Sequence, residues 1–202
     1  MSDYFTDKNI TEEDIRYFLT SRRDRGMSLP GSAPYRKAAV LIPLLQKDGE
    51  WHLLFTRRTE TVQDHKGQVS FPGGATEGVD ETAVDTALRE AEEEIGLNPQ
   101  QVRVLGFMSQ YPSVTDFLVT PVVGRISWPF VMKISTNEVA RVFTIPLKWL
   151  ADPQNREEKL VERRGGLIWV SYYKPYDGEI LWGLTAIITV NFLEILGLVK
   201  KE

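Results

Sequence analysis

The chain has 202 residues, 42% of them hydrophobic and 26% charged, with a formal net charge of −4. That length suits one domain, or one domain with an arm, and the mix excludes wholesale disorder, collagen-like repeats and a multi-span membrane protein. The absence of cysteine removes thiolate catalysis and sulfur-bound metals, and the acidic balance argues against a nucleic-acid partner.

The first ten residues are polar, with neither the basic nor the apolar stretch of a signal peptide, and predict a cytoplasmic protein. Residues 11–24 predict an amphipathic helix, with Thr11 as N-cap, Asp14 three positions on, and an apolar stripe of Ile15, Phe18 and Leu19. Residues 26–34 read as a linker. The expected organisation is therefore a helical arm and linker over 1–34 and a main domain over 35–202.

The main domain opens with strands. An apolar run at 38–45 ends in the turn Lys47-Asp48-Gly49, and 51–56 leads away again. Residues 69–71 predict a short strand stopped by Pro72-Gly73-Gly74. Residues 80–95 carry Val84, Ala87, Leu88, Ala91 and Ile95 at helical spacing, with Gly96 as C-cap. Strands follow at 101–108, 118–126 and 139–145, then a charged excursion over 148–166 ending at Gly165-Gly166, and a strand at 167–173. One long helix among strands predicts an α/β sandwich on a mixed sheet. Residues 180–199 are long and apolar enough to suggest a membrane span, but Asn191 and Glu194 near the middle, without aromatic or basic belts at both ends, favour a terminal core or interface helix. That helix and the N-terminal arm allow a homodimer.

The chemistry concentrates at 71–97. Glu90, Glu93 and Glu94 sit at i, i+3 and i+4, which puts three carboxylates on one helix face. Arg89 pairs with Asp85 or Glu93 but cannot neutralise all three. A solvated acidic face is the bland reading of such a run. The preceding apolar strand and Pro-Gly-Gly turn favour a metal site instead, because glycine lets backbone pass close to a cation or phosphate. Clustered oxygen ligands suit Mg²⁺ or Mn²⁺. With only two histidines, His52 and His65, a His-rich transition-metal site is not expected. No phosphate loop of the Gly-x4-Gly-Lys-Ser/Thr type is present, and Ser70 lacks the Gly-x-Ser-x-Gly elbow of a serine hydrolase.

This stretch resembles a Nudix box, Gly-x5-Glu-x7-Arg-Glu-U-x-Glu-Glu-x-Gly-U, where U is aliphatic or small and apolar. Arg89, Glu90, Ala91, Glu93, Glu94, Gly96 and Leu97 fit its second half. Glu81 has the right spacing to Arg89, whereas Asp80 has the right spacing from Gly74, so the box carries one extra residue and either acid can be its first. Asp80 can also be read as the helix N-cap. Upstream, Thr56, Arg58, Gly67, Phe71, Pro72, Gly73 and Gly74 match the signature of the coenzyme A pyrophosphatase branch. Thr59 and Gln63 depart from it, Gln63 standing where arginine is usual.

The resemblance, which spans about residues 36–190, implies a Nudix α/β/α sandwich. It also implies hydrolysis of CoA or an acyl-CoA at the pyrophosphate, giving 3′,5′-ADP and 4′-phosphopantetheine. It further implies metal on Glu90, Glu93 and Glu94, helped by backbone at Gly73 and Gly74, with Arg89 orienting the carboxylates. Glu90 and Glu94 are the expected principal ligands. Glu93 is a further ligand or the base, and Glu138 is a second candidate base. Arg58 is the expected phosphate contact, with Lys66 or Arg57 replacing the arginine missing at Gln63. His65 is a weaker candidate for phosphate, and Trp169, Tyr172, Tyr173, Tyr176 and Trp182 for stacking on adenine. The partner is a small nucleotide substrate, with no nucleic acid and no membrane. The competing readings are hydrolysis of NADH, ADP-ribose or non-standard nucleoside triphosphates, and a non-catalytic nucleotide sensor. Retention of all three box glutamates disfavours the sensor.

Overall fold

The strand β1 (Arg36–Lys47) is buried along most of its length, and its two faces feed different cores. Ala39, Leu41 and Leu45 join Leu54, Ala87, Ala91, Ile95 and Val122 on one side. Ala38, Ile42 and Leu44 join Phe18, Phe55, Phe143 and Phe192 on the other. A strand covered on both faces reads as a continuous apolar run rather than an alternating one, as 38–45 does. These features come from a computed structural model that describes residues 10–22, 35–60, 66–163 and 166–200.

Asp48 and Gly49 both take positive φ, 52° and 80°, which joins β1 to β2 (Glu50–Arg58) by the tight turn expected there. On its far edge β2 pairs with β3 (Val69–Ser70) and β8 (Val139–Pro146). The other edge of β1 pairs in parallel with β7 (Phe117–Ile126), which is flanked by β5 (Val102–Phe107) and β6 (Tyr111–Pro112). The sheet is therefore mixed.

The Pro72-Gly73-Gly74 segment does not simply end a strand. Gly73–Ala75 forms β4, paired antiparallel with β1 at Ala38, Ala39 and Val40. Glycine is required for this close approach, because a Cβ on Gly73 would stand 2.4 Å from the carbonyl oxygen of Ala39.

Helices cover both faces. The helix α1 (Glu12–Ser21) has the expected N-cap Thr11, in a reciprocal capping box with Asp14. Ile15 and Phe18 are buried in the sheet's core. The helix stops short of Asp24 because Arg22 is extended; the linker 26–34 lies outside the described residues. The helix α2 (Ala83–Ile95) lies on the opposite face. Its N-cap is Thr82, boxed with Asp85, and not Asp80, and Gly96 closes it at φ 71°.

The excursion 148–166 is more ordered than expected. It contains a short helix, α3 (Leu147–Ala151), and β9 (Arg156–Arg163), which pairs with β10 (Gly166–Tyr173) as a separate hairpin. Six charges in the eight residues of β9 hide the strand from a hydrophobic pattern; Gly165 lies outside the described residues. The terminal helix α4 (Gly183–Leu196) is shorter than 180–199 and packs Ala186, Ile188, Phe192 and Leu193 into the core. Asn191 donates to the Tyr111 hydroxyl at 2.9 Å. Among the described residues no helix is long and apolar enough to cross a membrane.

Candidate active site

The acids gather where α2 faces the C-terminal end of β2. Ala87, Ala91 and Ile95 pin one side of α2 to the sheet, so the neighbouring positions 90 and 94 are carried toward Arg58 and the Gly-Gly strand. The Glu94 side chain is 3% exposed, and its Oε1 stands 3.7 Å from Arg58 Nη1. The Glu90 side chain is 14% exposed and lies against Gly74, where a Cβ would come within 2.6 Å of its carboxylate. Glu93 points outward at 59% exposure. The spacing i, i+3, i+4 therefore yields two sheltered acids and one wet one.

Arg89 organises the group. Its Nη1 reaches Glu90 Oε1 at 2.9 Å and Glu93 Oε2 at 3.1 Å. Its Nε and Nη2 fork onto the two oxygens of Asp80 at 3.1 and 3.0 Å, and Nη2 also donates to the Ala75 carbonyl. Thr86 adds a hydroxyl to Asp80 at 3.1 Å. Of the two acids that compete for the first place in the box, Asp80 holds the arginine, while Glu81 is exposed. The hydrogen bonds from Arg89 hold the Asp80 carboxyl down at about 2 and raise the guanidinium further. Neither Ala75 nor Thr86 is legible as a partner from sequence, since each is fixed by where β4 lies beside the helix.

Burial sets the electrostatics of the sheltered pair. Burial pushes the Glu94 carboxyl up to about 8 against the opposing pull of Arg58, and the charges of Glu90 and Glu138 push the same way. Glu90 is raised as well, first by burial, with Arg89 opposing and Glu93 and Glu138 adding. Oε2 of Glu94 is buried with no hydrogen-bond partner. An acid kept in that condition lacks positive charge. The orphaned oxygen, the all-carboxylate donor set and the side-chain-free backbone at Gly74 fit a hard divalent cation. Among the described residues no three acids already stand close enough to cage an ion. Arg89 draws Glu93 outward, so Glu90 and Glu94 are the nearer pair.

Glu138 sits in the turn before β8 and is exposed, yet its charge acts on both Glu90 and Glu94. Its carbonyl accepts from the Thr59 N–H at 2.9 Å, which ties the turn beside Arg58. Arg58 is only 25% exposed, and its buried Nε has no hydrogen-bond partner. Lys66 is exposed in the turn before β3, and no contact with the acids is among those described. Arg57 faces away from the acids, toward Glu60 at 3.5 Å and the buried Glu179 at 3.6 Å. Gln63 and His65 lie outside the described residues. Of the aromatic residues, Tyr172 and Trp182 stack on each other at 5.6 Å, Tyr173 donates to the Leu150 carbonyl, and Tyr176 packs edge-on against Trp149. Trp169 is exposed.

Residues 34–176 match the NUDIX domain family. An uncharacterized Nudix hydrolase, NudL, of Cronobacter sakazakii is 41% identical over 153 residues, which span 75% of this chain and 78% of that protein. NudL of Escherichia coli K12, also uncharacterized, is 40% identical over 154 residues with the same shares. Among solved structures, a MutT/nudix family protein from Enterococcus faecalis superposes with TM-score 0.51 at 14% identity, covering 96% of this chain and 81% of that one. A Nudix hydrolase from M. smegmatis, RenU, superposes with TM-score 0.50 at 22% identity, covering 63% and 81%.

Proposed function

Because the chain belongs to the Nudix family and is a Nudix pyrophosphohydrolase, we propose that its substrate is CoA or an acyl-CoA. Water would attack one phosphorus of the pyrophosphate, and the bridging P–O bond would break. The products are 3′,5′-ADP and the (acyl-)4′-phosphopantetheine. The observation that carries this reading is the position of Arg58. The signature arginine of the CoA branch stands 3.7 Å from the most buried box glutamate, with a guanidinium nitrogen still unpaired.

Nudix hydrolases generally require divalent metal ions. Here Glu90, Glu94 and, once drawn from Arg89, Glu93 would hold Mg²⁺ or Mn²⁺. When bound, such an ion neutralises charge developing on the pyrophosphate and lowers the pKa of water. The chain's own residues do the rest. Asp80 fixes Arg89, and Arg89 fixes Glu90 and Glu93, so that the carboxylates are preorganised. Arg58 forks onto phosphate oxygens. Glu138 takes the proton of the attacking water, because it is exposed beside the acids while Glu93 is committed to Arg89.

A second reading rests on Arg57. It is one of the cations able to replace the arginine missing at Gln63, and it is committed to Glu60 and Glu179. That favours a diphosphate lacking the 3′-phosphate, such as NADH or ADP-ribose. Product analysis on CoA, 3′-dephospho-CoA, acetyl-CoA, NADH and ADP-ribose with Mg²⁺ or Mn²⁺ separates the two. Release of 3′,5′-ADP from CoA supports the first reading. A strong preference for the dephosphorylated form overturns it in favour of the second.

A further inference from the structure

Ten large hydrophobic side chains are exposed among the described residues, and three of them, Val131, Met132 and Ile134, fall within four positions. Val131 is 93% exposed, Met132 39% and Ile134 37%. They lie on the connection from β7 to β8, and that connection is fixed on both sides of them. Upstream, Trp128 and Phe130 meet edge to face at 6.0 Å and pack against the core under α2. Downstream, the Lys133 N–H donates to the Ile95 carbonyl at 3.0 Å and the Ser135 N–H to the Glu94 carbonyl at 2.9 Å. Gly96 lets the connection lie so close, since a Cβ there would stand 2.7 Å from Lys133.

The three side chains are thus held against the last turn of the helix that bears the acids, and the same connection goes on to deliver Glu138 beside Arg58. Their exposure contributes nothing to the core. Adjacent apolar side chains at the rim of a polar cleft mark where a ligand's apolar part rests. Lys133 is the single charge in the connection from 127 to 137, and its stem is spent on Gly96. Among the described residues, no comparable apolar run borders the acids from another segment.

We infer that Val131, Met132 and Ile134 seat an apolar chain that the substrate carries on the far side of its diphosphate from the nucleoside. The inference rests on the CoA reading, in which the acyl thioester half supplies such a chain. The unbranched, polarizable side chain of Met132 lets the seat accept chains of differing length.

The test compares acetyl-CoA and octanoyl-CoA, identical in nucleotide and diphosphate, on the full chain with Mg²⁺. The wild type is expected to favour octanoyl-CoA about tenfold in KM, as burial of a few methylenes allows. The V131S/M132S/I134S variant is expected to keep acetyl-CoA kinetics and lose that preference. A wild type without the preference, or a variant that retains it, overturns the inference while leaving hydrolysis of CoA intact. Should the triple variant fail to turn over acetyl-CoA, M132S and I134S singly read the same ratio. If neither thioester is cleaved but ADP-ribose is, the CoA reading falls. The seat is then judged by inhibition of ADP-ribose hydrolysis, and octanoyl-CoA inhibiting no better than acetyl-CoA overturns it.

Discussion

Glu94 and Asp80 are both carboxylates of the same site, and their surroundings push them in opposite directions. Glu94 is held near 8 by burial, so below that pH the metal-free folded chain keeps a proton that the unfolded chain gives up above about 4.5. Stability of the metal-free protein therefore falls as pH rises from about 4.5 to 8. Glu94→Gln removes that slope, and thermal melts in EDTA at pH 5 and pH 8 should show it. The same substitution should lower turnover by about 10²-fold or more. Asp80 acts through Arg89, so Asp80→Asn should lower kcat by about tenfold, while Glu81→Gln leaves it unchanged. Equal losses in the two variants would return the first-acid role to a shared one. Spacing could not choose between these residues, because each satisfies one half of the pattern. The choice is made by β4, which sets Ala75 and Asp80 on the same side of the guanidinium.

At the scale of elements, α2 shows what was legible and what was not. Its apolar spacing and Gly96 are local signals, and both ends of the helix lie within three residues of expectation. Its N-cap moved from Asp80 to Thr82 because Asp80 is recruited by a side chain nine positions away. Thr82→Ala opens the capping box with Asp85 and should cost about 1 kcal/mol, seen as a drop of a few degrees in Tm. Activity should fall less than in Asp80→Asn, since the acids lie in later turns. The missed β4 and β9 have a common cause. Two glycines and an alanine, or eight residues with six charges, carry no strand period of their own. Each becomes a strand only because a neighbour offers an edge, β1 in one case and β10 in the other.

Across the whole molecule, the amphipathic helix at 12–21 was legible, but its partner was not. Ile15 is fully buried, Phe18 joins the same core as Phe55 and Phe192, and Arg22 donates to the Ile195 carbonyl at 2.8 Å. The helix is therefore packed into the body of the fold. Ile15→Ala should cost about 2–5 kcal/mol in a single cooperative transition. A separate early transition in the wild type, unaffected by this change, would show that the segment docks independently. The parallel pairing of β1 with β7 has a consequence for synthesis on the ribosome. Every box acid has been added by residue 94, but the neighbour that closes β1 is not complete until residue 126. At about 5–20 residues per second that interval lasts a few seconds. Throughout it the nascent polypeptide holds the full set of box carboxylates beside an apolar strand with one edge bare, which is when it most needs a chaperone.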